Sequence, residues 1–163
     1  MTLDEITIRN DLRPGDLGYV AHRHGVLYAQ EYGYGVAFEA YVAAGLAEFY
    51  EHYDRHRDRV WICEHHGRMV GFLLLMHRSE TAAQLRFFLI EPEYRGVGLG
   101  KKLMGLYMEF LRSCGYRSTY LWTTDELPAA ASLYLREGFR LVEEKSSIAL
   151  GKALMEQRYE LKL

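Results

Sequence analysis

The stretch from Glu91 to Gly105, EPEYRGVGLGKKLMG, restricts what the chain can fold into more than any other part of the sequence. Ahead of it, QLRFFLI is apolar and rich in strand formers. Behind it, Leu99, Leu103, Leu106, Tyr107, Phe110, Leu111 and Cys114 trace one face of a helix that ends at Gly115. Between the two, Gly96, Gly98 and Gly100 take alternate positions behind Arg95. A glycine inside a regular element costs about 1 kcal/mol relative to alanine, so three in this short span are not kept for local stability. A strand that feeds a helix through glycines presents unpaired N–H groups at the positive end of the helix, a geometry that binds phosphate, and Arg95 and Lys101 add positive charge. The competing reading is a glycine-rich turn that only packs the helix close to a sheet, and the turn taken alone leaves both open.

The rest of the chain supplies the elements around this turn. DEITIRN alternates Ile6 and Ile8 with polar neighbours and predicts an opening strand, closed by the turn signal DLRPGD. A helix is expected from Asp16, as N-cap, to the break at EYGYG, and a second one carries Phe38, Tyr41, Val42, Leu46, Phe49 and Tyr53. VWICEHHGRMVGFLLLM reads as a hairpin turning at His66-Gly67-Arg68. After the glycines come the strand STYLWTT, the short helix PAAASLYLRE with Gly138 as a left-handed cap, and the strands FRLVEEK and EQRYELKL. The order β-α-α-β-β-β-α-β-α-β-β predicts a single α/β domain over residues 1–163, a mixed and mostly antiparallel sheet flanked by helices, and not a doubly wound fold.

Composition limits the function classes. A net charge of -2 over 163 residues argues against nucleic acid as the main partner, which demands a concentrated basic surface. Cys63 and Cys114 form neither a CxxC pair nor a disulfide framework, no apolar run is long enough to cross a bilayer and the opening residues lack a leader pattern, so the expectation is a cytoplasmic protein without a membrane partner. A Walker loop fails because Arg95 stands five residues before Gly100 and Lys102 follows Lys101; a dinucleotide fingerprint fails because the third glycine comes one residue early.

What the turn does fit is Arg-x-x-Gly-x-Gly, here Arg95-Gly96-Val97-Gly98-Leu99-Gly100, and with LYLREGF from Leu133 to Phe139 the chain resembles the GNAT superfamily of acyl-coenzyme A-dependent N-acyltransferases over nearly its whole length. HRHGVLYAQEYGYG, His22 to Gly35, and the long segment around it also resemble the acetyltransferase half of bacterial proteins in which a MarR-type regulator precedes a GNAT domain, although these residues contain no such regulator. The resemblance implies acetyl-CoA as co-substrate, with its pyrophosphate on the backbone of Arg95, Gly96, Val97, Gly98, Leu99, Gly100 and Lys101, and its pantetheine arm added like a strand beside Leu89 and Ile90. C-terminal strands in such folds often pair between subunits, which makes a homodimer an expectation.

Acylation of an amine by a thioester needs a neutral amine, a polarised carbonyl and a proton for the leaving thiolate. Tyr134 matches the family position whose phenol faces the sulfur, so it is expected as the acid, and Glu91 at the end of the cleft strand as the base. Where many relatives carry an asparagine, seven residues before this tyrosine, this chain has Leu127. His24, Tyr28 and Glu31 share a helical face and are expected to line the site for a small-molecule or peptide amine. No metal is expected, because His22 and His24 lie two apart rather than four. Two functions are carried forward: an N-acetyltransferase working by direct attack, and a non-catalytic acyl-CoA-binding sensor or regulatory module.

Overall fold

The computed structural model describes residues 1–163. Strand β1 (Thr7–Arg9) is followed by helices α1 (Asp16–Tyr32) and α2 (Val36–Glu51), strands β2 (Arg59–His65), β3 (Arg68–His77) and β4 (Ala82–Ile90), helix α3 (Leu99–Ser113), strand β5 (Ser118–Thr124), helix α4 (Pro128–Arg136), and strands β6 (Arg140–Ser147) and β7 (Leu154–Lys162). This is the expected order. Single 3₁₀ turns at Leu3–Glu5 and Pro92–Tyr94 were not expected.

All seven strands form one sheet in the order β1-β2-β3-β4-β5-β7-β6, antiparallel except for β4 against β5. Helices α3 and α4 cover one face and α1 and α2 the other. Residues of β3 therefore go alternately to two cores, with Val70, Leu73 and Leu75 in the first and Met69, Phe72, Leu74 and Met76 in the second. Burial on both faces explains why this strand reads as an unbroken apolar run instead of an alternation. The β2–β3 turn closes through His66 at φ 52 and Gly67 at φ 73, the pair of left-handed residues that a two-residue hairpin needs. Asp16 is not the N-cap of α1 but its first residue. Its carboxylate accepts hydrogen bonds from the Arg9 guanidinium at 2.8 and 2.9 Å and from the Arg13 N–H at 2.7 Å, tying β1 to the start of the helix.

Two departures from regular pairing open the sheet in its middle. Phe72 pairs with Leu89 and Leu74 with Arg86, so both Phe87 and Phe88 oppose Leu73. Phe87 adopts φ 60, a left-handed conformation uncommon for a bulky residue, and the strand bends there. On the other side, β4 pairs with β5 only from Ala82↔Ser118 to Gln84↔Tyr120. Beyond Gln84 the two strands part, and the gap faces the glycine turn.

Candidate active site

The turn after β4 runs through a 3₁₀ segment, Gly96 at φ 79 and Gly98 at φ 92, and enters α3 at Leu99. A side chain at either glycine would be strained by its positive φ. The first intrahelical bond is from the Lys102 N–H to the Gly98 carbonyl, at 3.0 Å. The N–H groups from Gly96 to Lys101, six in succession, have no acceptor in the chain. Backbone N–H groups left this way at the positive end of a 15-residue helix form a concave anion cradle. Gly100 serves differently: a Cβ there would lie 2.9 Å from Leu133 Cδ1 and 3.4 Å from Ile90 Cδ1, so this glycine lets α3 approach α4 and β4. The glycines thus differ in what they do locally: Gly96 and Gly98 supply the positive φ of the turn, and Gly100 the close packing of the helix.

The cradle forms one end of a cavity of about 690 Å³ whose walls include Leu89, Ile90, Arg95, Gly96, Gly98, Leu99, Gly100 and Lys101. Val97 contributes its N–H to the same run, while its side chain packs against the core. Arg95 does not extend toward the cradle. Its Nη1 and Nη2 donate to the Glu31 carboxylate, both at 2.8 Å, and its Nε to the Ile90 carbonyl at 3.2 Å. The guanidinium holds the Glu31 carboxyl below the usual carboxylate range. Glu31 is thus separated from the acceptor face expected of it, because Arg95, in the turn before α3, reaches the end of α1 and pairs with its charge.

A second cavity, about 120 Å³, adjoins the first, with Tyr28, Phe88, Leu127 and Ala130 lining both. His24 and Tyr28 lie on its wall as expected, their rings stacked at 5.6 Å. His24 is buried, its Nδ1 lies 2.8 Å from the Val20 carbonyl, and burial pushes its pKa down to about 4. The ring is therefore neutral, with the proton on Nδ1. Leu127 presents only an apolar side chain to both cavities.

Tyr134 also lines the smaller cavity and is 4% exposed, packed with tilted rings among Phe88, Phe139 and Tyr159. The hydroxyls of Tyr34, Tyr94, Tyr107, Tyr116 and Tyr120 are hydrogen-bonded within the chain, whereas that of Tyr134, like those of Tyr28 and Tyr159, is not. Burial raises its pKa, so the phenol keeps its proton. Glu91, expected as the base, is 1% exposed and lines neither cavity. Its carboxylate accepts Arg23 Nε at 2.6 Å and Nη2 at 2.9 Å, which makes it a brace between α1 and the end of β4. A base must reach the nitrogen it deprotonates, and this one does not.

Three residues on the second cavity escaped the sequence reading: Arg86, Trp122 and Glu156. Glu156, on β7, is the only acidic residue on its wall and makes no ion pair. The signal for Arg86 was present in RFF, three large side chains in a row where a strand should alternate.

The sequence profile of the Acetyltransferase (GNAT) family matches residues 26–139. The chain belongs to this family. It is 33% identical over 118 residues to the uncharacterized N-acetyltransferase YjgM of Escherichia coli, covering 69% of this chain and 70% of the relative. Among solved structures, the putative acetyltransferase yncA of Salmonella typhimurium, with its cofactor acetyl-CoA, superimposes with a TM-score of 0.72 at 19% identity, over 98% of this chain and 94% of that one. Spermidine N-acetyltransferase of Vibrio cholerae, in complex with CoA and spermine, gives 0.72 at 18% identity, over 98% and 96%. At these identities the two structures establish a shared GNAT fold. No helix is long and apolar enough to cross a membrane.

Proposed function

We propose that this GNAT chain moves an acetyl group from acetyl-CoA to the primary amine of a small molecule or peptide by direct attack. The run of unpartnered N–H groups from Gly96 to Lys101 at the end of a large cavity carries this reading. Their number fits a diphosphate, and the turn is uncrowded at Gly96, where nothing lies within 4 Å of an added Cβ. Leu89 and Ile90, on the cavity wall where β4 has left β5, border the place for the pantetheine arm.

Acetyl-CoA supplies an activated thioester carbonyl, and the chain supplies position and protons. The amine nitrogen forms the C–N bond as the C–S bond breaks. Tyr134 gives its phenolic proton to the sulfur and regains one from solvent. With Glu91 engaged by Arg23, we assign the proton lost by the amine to Glu156, directly or through a water. Neither cysteine serves as a nucleophile in this scheme: burial pushes the Cys63 thiol up to about 12 and raises that of Cys114, so both are protonated.

The second reading, a non-catalytic acyl-CoA-binding module, is carried by the likeness of the His22 to Gly35 region to domains that follow MarR-type regulators. The place of Tyr134 on the cavity wall favours catalysis, because its phenol keeps its proton and has no partner in the chain to hold it back from a leaving thiolate. Thiol release from acetyl-CoA with a panel of amines, measured beside calorimetric binding, separates the two: turnover is expected, and tight binding with no thiol released by any amine would leave the sensor.

A further inference from the structure

Amine acylation as such does not require a buried cation in the acceptor cavity, yet one is built there. Arg86 lines the cavity with its side chain 9% exposed. Its guanidinium carbon lies 4.6 Å from the ring centre of Phe87 and 5.4 Å from that of Tyr41. Helix α2 makes room for it: a Cβ on Gly45 would sit 2.7 Å from Arg86 Nη2. The bulge at Phe87 turns that ring against the guanidinium, at the cost of a strained backbone, and such strain persists where the surroundings enforce it.

The charge of Arg86 is not balanced. Its only acceptor is Glu48 Oε1 at 3.2 Å, and Arg78 donates to the same carboxylate at 3.2 and 3.3 Å. Two guanidiniums share one carboxylate that is itself 43% exposed. Gln84, the neighbouring polar residue on β4, has its oxygen occupied by Arg78 Nε at 2.8 Å and by the Tyr120 hydroxyl. Nε and Nη2 of Arg86 thus have no acceptor in the chain, and a partly desolvated guanidinium matches a carboxylate through two parallel hydrogen bonds. Glu156 lines the same cavity and does not pair with Arg86. Opposite charges held apart in one aromatic cavity complement a ligand that carries both.

We propose that the acceptor is a small amino acid, its carboxylate on Arg86 and its amine toward Glu156 and Tyr134. This rests on the reading that the cavity takes the acceptor of an acetyl transfer. The test uses matched probes, namely alanine, threonine and methionine, the primary amide of each, and spermine as a purely cationic amine. Binding to the protein saturated with CoA is measured by calorimetry, and thiol release from acetyl-CoA separately. The free acids should bind and turn over at least tenfold better than their amides, against the intrinsic reactivity of the amides, whose amines lose a proton more easily. Arg86→Met should abolish the preference for acid over amide while leaving the acetyl-CoA dissociation constant unchanged, and Arg86→Lys should restore part of it. Equal binding of acid and amide, or preference for spermine, by the wild type would overturn the proposal even if Arg86→Met failed to fold. A binding preference for acids with no thiol release from any probe would support the anion site and count against the transferase reading instead.

Discussion

At the scale of single residues, Tyr134 and His24 show how burial sets what a titratable group can do. Both sit on the wall of the smaller cavity, and burial raises the pKa of one and lowers that of the other, which leaves each neutral. For Tyr134 the consequence is catalytic. Tyr134→Phe keeps the ring and its packing and removes only the proton, so steady-state kcat should fall about 10²–10⁴-fold with the acetyl-CoA dissociation constant unchanged. A wild-type kcat, with chemistry rate-limiting, would return Tyr134 to the core tyrosines. For His24 the consequence is stability. Its folded pKa of about 4 lies below the ordinary value of 6.5, so between these pH values the unfolded chain binds more protons. The contribution is complete above pH 6.5 and is lost as the pH falls toward 4, at about 1.4 kcal/mol per pH unit. Urea unfolding across that window should show this slope in the wild type and lose it in His24→Leu.

At the scale of elements, the strand–turn–helix unit from β4 to α3 concentrates the functional backbone. Gly98 at φ 92 aims the free N–H groups, while Gly100 sets the distance of α3 from Leu133. Gly98→Val places a branched side chain at a positive φ, which costs on the order of 1–3 kcal/mol or forces the turn to another shape. Either way the cradle is disturbed, and acetyl-CoA affinity by calorimetry should fall tenfold or more while the circular dichroism spectrum is retained. Unchanged affinity in a folded variant would remove the cradle from coenzyme binding. The turn and the helix after it were legible in the sequence because glycines and the 3.6-residue period are local signals. The bulge at Phe87 was not, since it is a property of the register between β4 and β3 and not of the residues of either strand alone.

At the scale of the whole molecule, the sheet ends on β6, exposed from Arg140 to Ser146 and beginning with the apolar Leu141 and Val142. The unpaired backbone groups of this edge offer a place for a second copy to add, and we expect a homodimer through it. Sedimentation velocity at micromolar concentration should give the dimer, and Val142→Lys the monomer; a wild-type monomer would exclude this pairing. The sequence by itself determined the element order, the glycine turn and the GNAT likeness, because hydrophobic period, turn chemistry and short motifs are properties of neighbours along the chain. It also pointed to Tyr134, His24 and Tyr28, which sit where their motif or helical face put them. Only the tertiary structure decided which charges find each other. Glu31 went to Arg95, Glu91 went to Arg23, and Arg86 and Glu156 were left facing a common cavity. Ion pairing depends on distances of a few ångströms between side chains that lie up to 68 positions apart in sequence, and those distances are fixed by packing and strand register rather than by any local pattern.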